Sequence, residues 1–275
     1  MTRSDGTRIG AVALTVRDLD RSVEFYERVL GLVALERDRS RVLLGVEDET
    51  LLELHGDPQA PLRPRRSTGL FHFAMLVPGR TELARALLRL AEHRWPLTGA
   101  SDHLVSEALY LNDPDGIGIE IYRDRPRSDW GWNGSQVRMA TLPLDLDSLL
   151  ADAGGEADER MPAGTTMGHV HLNVADLTES ERFYCGVLGF EPTARSYPGA
   201  LFVSAGRYHH HVGLNVWNGP GAPPPPAGAV GLRHYEISVP EAGELDELTE
   251  RLDGERVNGA LASTDPSGIR LVLRA

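Results

Sequence analysis

The 275-residue chain contains no lysine. All 28 of its basic residues are arginine, which excludes Schiff-base chemistry on a lysine amine. Cysteine is almost as scarce. Cys185 is the single one, so an internal disulfide framework and a thiolate metal cluster are both excluded. It falls in an amphipathic helical run, where a buried, inert thiol is expected. Long apolar runs are missing too: nothing is long enough to span a bilayer, and the opening MTRSDGTR carries no apolar stretch of the signal-peptide kind. The expectation is a soluble, cytoplasmic protein. Positive charge is short as well. With 40 acidic residues the formal net charge is -12, which makes nucleic acid and anionic membrane surfaces poor partners.

What the chain does have is internal repetition. IGAVALTVRDLDRSVEFYERVLGL, from Ile9, matches MGHVHLNVADLTESERFYCGVLGF, from Met167. Each copy reads as an alternating strand, a D-L turn, a helix carrying an F-Y pair, and a V-L-G helix end. Gly31 and Gly189 suit the left-handed position that closes a helix. A second unit also occurs twice: GLFHFAMLVP, from Gly69, matches GLRHYEISVP, from Gly231. Each is followed by a helical stretch (Glu82–His93 and Glu244–Leu252). Each then ends in a D-P-x-G turn before a final strand, at Asp113–Gly116 and Asp265–Gly268.

The pattern predicts an α+β fold of four βαβββ modules at about 9–56, 68–124, 166–218 and 229–275. Two tandem domains are expected, residues 1–124 and 166–275. Residues 125–165 form a polar connector with one short helix at Leu144–Ala151, and Trp130 and Trp132 in it are expected to cover a domain face. The proline-rich run Gly219–Ala229 reads as a semi-rigid spacer between modules 3 and 4.

Four such modules, with their D-L-x-x-S-x-x-F-Y and D-P-D-G-x-x-I-E signatures, resemble the vicinal-oxygen-chelate superfamily of glyoxalases, bleomycin-resistance proteins and extradiol dioxygenases. The runs SDHLVSEALYLNDPDGIGIEIYRDRP and YHHHVGLNVWNG are most similar to the two-domain catechol 2,3-dioxygenase-like branch. The resemblance implies that module pairs curl into cup-shaped mixed sheets, with metal ligands on the first and last strands of modules. His72, Glu120 and His169 occupy those positions, with His171 on the same face as His169 as an alternative ligand or a supporting group. The other modules carry a depleted set. Ala11 stands at the position of His169, Val272 at that of Glu120 and Ala262 at that of Tyr110. His234 and Glu53 read as relics or structural polar groups.

Two histidines and one carboxylate suit non-haem Fe(II), or Mn(II) or another divalent metal, and leave positions open for a catechol and dioxygen. The implied activity is extradiol ring cleavage of an aromatic substrate, in a possible homodimer. The resemblance also implies acid–base groups. His103 and Tyr110 match two of them, and the triplet in RYHHHVGLNVW matches the third. Read as a strand, the triplet alternates: His211 inward as the acid–base residue, His209 in support, His210 facing away. Asn215 falls on the face of His211, at the glyoxalase-type glutamate position that Glu53 holds in module 1. Under the usual pairing of module 1 with 2 and 3 with 4, each cup lacks a ligand. Pairing 2 with 3, within a chain or across a dimer, completes one site. The alternatives are a glyoxalase-type lyase or isomerase, which needs a second carboxylate such as Glu53, and a non-catalytic protein that sequesters a small molecule.

Overall fold

The repeated signatures explain themselves in the computed structural model, which describes residues 2–155 and 157–275. Asp18 and Asp176, the aspartates of the two D-L turns, are helix N-caps. Each accepts a hydrogen bond from the backbone N–H three residues on, at Arg21 (3.0 Å) and Glu179 (2.8 Å). The helices they start are Leu19–Arg28 in module 1 and Leu177–Glu181 in module 3, the latter continuing as a π-helical turn over Arg182–Val187. Tyr26 and Tyr184, of the F-Y pairs, are buried and donate to Asp113 (3.1 Å) and Asp265 (3.0 Å) of the D-P-x-G turns. The other oxygen of each aspartate accepts two backbone N–H groups of its own turn, and Gly116 and Gly268 complete the turns with φ of 83° and 80°. Burial raises both carboxyls to about 6.

All four modules have the predicted βαβββ order. Module 1 comprises strands Arg8–Val16, Val33–Arg37, Arg41–Val46 and Glu49–Gly56. Module 2 comprises Gly69–Leu76, helix Arg80–Glu92, Leu97–Asp102, Ser106–Asn112 and Gly118–Asp124. Module 3 has strands Thr166–Asn173, Glu191–Ala194, Ala200–Ser204 and Val212–Asn215. Module 4 has Gly231–Ser238, helix Ala242–Arg251, Gly254–Val257, Ala260–Thr264 and Arg270–Arg274.

The strands form two large mixed sheets, and each sheet takes one module from each half of the chain. In the first, Arg8–Val16 pairs antiparallel with Gly231–Ser238, joining module 1 to module 4. In the second, Gly69–Leu76 pairs antiparallel with Thr166–Asn173, joining module 2 to module 3 within the chain. The Tyr26–Asp113 and Tyr184–Asp265 bonds cross the other way, from module 1 to 2 and from 3 to 4. The halves are therefore interlocked by sheet hydrogen bonds in one direction and by buried side chains in the other.

The connector is folded onto this frame. Leu142–Pro143 adds an edge strand beside Leu97–Asp102, and the short helix spans Leu146–Ala151. Trp130 is buried against Tyr208 and His209. Arg89 is buried and donates to the carbonyls of Val29 and Leu30, left open where the module 1 helix ends, and to that of Asp158. Burial lowers its guanidinium to about 10.

Candidate active site

Three strands of the second sheet bring His72, Glu120 and His169 together. His72 lies on the first strand of module 2, Glu120 on its last strand, and His169 on the first strand of module 3. The bulges in the pairing of Gly69–Leu76 with Thr166–Asn173 fall around these residues and aim their rings. The Nε2 atoms of both histidines point at one carboxylate oxygen, Glu120 Oε2, at 3.0 and 3.2 Å. All three side chains are buried, and one donor atom from each lies within 4.8 Å of the others. Among the described residues no other set of three histidine, cysteine or acidic side chains meets that spacing. Burial would raise the Glu120 carboxyl, but the two imidazoles hold it well below the usual range, so it is a carboxylate. Two imidazole nitrogens and one carboxylate oxygen, converging on a common point, form a donor set that suits a divalent transition metal.

His171 sits one ring away, 5.0 Å from His72 between centroids, and its Nε2 has no hydrogen-bond partner. Burial, then the neighbouring imidazoles, push its pKa well down, so the ring is neutral. His171 is not in the converging set. Its ring fills the space beside Gly213, its register partner, where a Cβ would stand 2.9 Å from it.

His103 and Tyr110 lie on the same side of the sheet and are bonded to each other, His103 Nε2 to the Tyr110 hydroxyl at 2.7 Å. His103 Nδ1 is 2.7 Å from the Ala140 carbonyl, which only accepts. A neutral His103 therefore carries its hydrogen on Nδ1 and accepts at Nε2 from Tyr110. Burial and the Glu120 charge keep that phenol well above its ordinary pKa.

The histidine triplet departs from the alternating strand. The strand begins at Val212, and the triplet precedes it in a loop turned by Gly206 and Arg207, both at positive φ. Alternation does not apply there, and the inward assignment of His211 is corrected. His211 Nδ1 instead accepts from the Ala205 N–H (3.2 Å) and lies 3.1 Å from Ser204 Oγ, with the ring against Tyr208 and Phe190. Burial lowers its pKa to about 3. His210, expected to face away, is the one that lines the cavity, its ring centroid 4.1 Å from that of His169.

His209 is buried behind it as support. Its Nε2 is 2.9 Å from Asp124 Oδ1, and its Nδ1 is 2.8 Å from His210 Nδ1. Asp124 accepts only, so if His209 carries a single hydrogen it donates from Nε2 and accepts at Nδ1 from His210. This leaves the His210 Nε2 lone pair free for the cavity. Burial, then the surrounding imidazoles, keep His210 neutral. Asp124 escapes sequence reading, although it follows Glu120 and Tyr122 at the two-residue spacing of one strand face.

Asn215 is corrected too. In the sheet register Ala13 pairs with Glu53 where His171 pairs with Gly213, so the counterpart of Glu53 is Gly213. Asn215 Oδ1 instead accepts from the Trp217 N–H. Glu53 belongs to the other sheet, paired with Arg41 and 2.9 Å from His55 Nε2. His234 is half-buried there. Cys185 is half-buried, and burial lifts its thiol to about 11, which leaves it inert.

A cavity of about 410 Å³ opens over His72, Glu120, His210, His103 and Tyr110. Its size falls in the range of small-ligand sites. Phe71, Trp217, Tyr197, Phe202 and Met139 form its mouth and upper walls.

Two cup-shaped sheets of βαβββ modules with such a site define a class, and comparison with known proteins agrees. The family model for the glyoxalase/bleomycin resistance protein/dioxygenase superfamily matches residues 8–121 and again 166–273, and the chain belongs to that superfamily. It is 48% identical over 254 residues to a catechol-2,3-dioxygenase of Bacillus subtilis (strain 168), covering 90% of this chain and 88% of that protein. Among solved structures it is similar to a putative dioxygenase from Bacillus subtilis, with a TM-score of 0.67 at 12% identity over 99% of this chain and 86% of that one. It is also similar to glyoxalase I from Zea mays, with a TM-score of 0.59 at 18% identity over 98% of this chain and 92% of that one. Those two likenesses show the shared fold. No helix among the described residues is long and apolar enough to cross a membrane.

Proposed function

We propose that the chain is an Fe(II)-dependent extradiol dioxygenase that opens the ring of a catechol with dioxygen, with His72, Glu120 and His169 as the metal ligands. The observation that carries the reading is the convergence of three donor atoms on one point at a cavity wall, with no second carboxylate beside them as a fourth ligand among the described residues. A glyoxalase-type reaction wants that fourth group, and the position where module 1 has Glu53 is filled here by Gly213. The 48% identity to a protein named for catechol cleavage supports the same choice.

Iron bound there would acidify the hydroxyls of a chelating catechol and offer open positions for both ring oxygens and dioxygen. The chain's own residues handle the protons. His210 presents a bare Nε2 to the cavity and takes a proton from a substrate hydroxyl. As it does so, its Nδ1–H can shift to His209 Nδ1, and the His209 Nε2–H to Asp124, whose side chain is partly exposed. On the opposite wall Tyr110, kept as a neutral phenol, orients a substrate oxygen while His103 fixes the direction of its hydrogen bond.

The test is anaerobic reconstitution with Fe(II), followed by oxygen uptake and appearance of ring-fission product with catechol. Iron binding, oxygen uptake and ring-fission product are expected together, and iron-loaded protein that leaves catechol untouched would sink the proposal. His210→Ala should retain iron and lose roughly a hundredfold or more in kcat, the usual contribution of a positioned acid–base group. His211→Ala should act mainly through stability, because its ring faces away from the cavity.

A further inference from the structure

The cavity has room beyond a single ring, and its walls restrict what can fill that room. None of the chain's 28 arginines lines it, and Glu120 is its only acidic side chain. The guanidiniums near that end of the sheet are engaged elsewhere: Arg123 with Glu107, and Arg125 with Glu107 and Asp102. Thr98, Ser101, Ser106 and Thr141 supply only neutral polar groups. The mouth is aromatic. Phe71 and Trp217 are 43% and 48% exposed, two of only six large apolar side chains among the described residues that open to solvent, and they meet edge to face at 5.4 Å. Trp217 is held by its indole N–H on the Pro198 carbonyl at 3.0 Å. Phe71 and Trp217 also flank His171 at 5.1 and 5.3 Å, Phe202 lies 5.5 Å from the same ring, and Tyr197 meets Phe202 edge to face at 5.4 Å. Exposed aromatic pairs fixed in place at a cavity rim are a pre-organised apolar contact for a ligand.

We infer that the substrates are uncharged catechols carrying an apolar ring substituent, selected over carboxylated catechols, with Phe71 and Trp217 as the specificity-determining contacts. The inference rests on the ring-cleavage reading above and adds the class of substituent. A ring carboxylate would have to leave water for a wall that offers no cation, with the Glu120 carboxylate already in the cavity, and its charge would go unanswered. An alkyl or aryl group instead covers the two exposed rings and removes their apolar surface from water.

Two nearly isosteric probes test this: 4-isopropylcatechol and 3,4-dihydroxybenzoate, with catechol as the common reference. Binding is measured by anaerobic calorimetry on the iron-loaded protein and turnover by oxygen uptake. The isopropyl compound should bind at least about tenfold tighter than the benzoate, with kcat/KM ordered the same way. Trp217→Ala and Phe71→Ala should each weaken 4-isopropylcatechol about fivefold more than they weaken catechol. Thr141→Arg, which places a cation at the wall, should narrow the gap by improving 3,4-dihydroxybenzoate about tenfold. Equal binding and turnover of the two probes, or losses in the mouth variants that do not depend on the substituent, would overturn the inference and leave ring cleavage standing. Failure to bind or cleave any of the three compounds would overturn the ring-cleavage reading, and this inference with it.

Discussion

The two sheets are built from the same modules in the same register, yet among the described residues only one of them brings two histidines and a carboxylate to a common point. Ala13 faces His234 across the central strand pair of the first sheet, where His171 faces His72 in the second. Two residues earlier Ala11 stands for His169. On the last strands Ala262 pairs with Val272 where Tyr110 pairs with Glu120. Glu53 and Gly213 are exchanged in the opposite sense. The frame therefore does not depend on the site: the N-cap aspartates and the Tyr–Asp bonds serve both halves equally. The candidate chemistry is a handful of side chains set into one of two equivalent cups, the usual relation of function to fold.

Removing candidate ligands from each sheet in turn should have the largest effect. His72→Ala or Glu120→Ala should abolish iron retention and with it oxygen uptake. His234→Ala or Glu53→Ala should leave the iron content as it was. Metal analysis after reconstitution and desalting reads both. Loss of iron from His234→Ala would mean that the first sheet takes part in binding, and the contrast between the sheets would fall.

The module pattern was legible because the repeats align four copies of one design, and the family resemblance then picked out His72, Glu120 and His169, which the fold brings together. The pairing of modules 2 and 3 followed from counting donors, since the usual pairing of 1 with 2 and 3 with 4 leaves each cup one ligand short. The triplet was not legible. Gly206 and Arg207 turn the chain just ahead of it, so three residues that look like the start of a strand precede it, and a strand rule applied there inverts His210 and His211. Nor does sequence reveal the aromatic mouth. Phe71 comes from module 2 and Tyr197, Phe202 and Trp217 from three points of module 3, and the pairing of the two modules in one sheet brings them to one cavity.

A second prediction sharpens the exchange of Glu53 for Gly213. Restoring a side chain in the active cup, as Gly213→Ala, drives a Cβ to 2.9 Å from the His171 ring and should cost about 1–3 kcal/mol, with Gly213→Glu at or beyond the upper end. Removing one from the other cup, as Glu53→Gln, gives up a partly exposed ion pair with Arg41 and should cost about 1 kcal/mol or less. Denaturant midpoints at constant slope compare the two. Similar costs would show that His171 yields easily and that the glycine is not held by packing.

The sheets should also part company in acid. Burial keeps His171 and His210 in the second sheet's cup, and His211 behind it, neutral, whereas the first has only the partly exposed His55 and half-buried His234, both lowered by burial as well. A histidine whose folded pKa lies below its unfolded value of about 6.5 takes its proton first in the unfolded chain. Stability is therefore complete above that value and falls as pH drops toward the folded pKa, about 3 for His211. Between pH 6.5 and 5 His211 alone should cost about 1.6 kcal/mol. In metal-free protein, hydrogen exchange should show Gly69–Leu76 and Thr166–Asn173 losing protection before Arg8–Val16 and Gly231–Ser238. His211→Gln should flatten the slope, and uniform loss across both sheets would count against this account.

The smallest expected effect tests what the halves share. Tyr26 and Tyr184 each give a buried hydroxyl to a buried aspartate whose other oxygen is already satisfied by its turn. Tyr26→Phe and Tyr184→Phe should thus cost about 1 kcal/mol apiece, the ordinary net value of a hydrogen bond. Tyr184 also accepts from Tyr235 at 3.0 Å, a contact with no equivalent at Tyr26 among the described residues, so its loss should be the larger by a few tenths. Because the two bonds share no partner, the double variant should lose the sum. An excess over the sum would mean that the halves unfold as one cooperative unit through these links, and that the sheets, however different in chemistry, are not independent in stability.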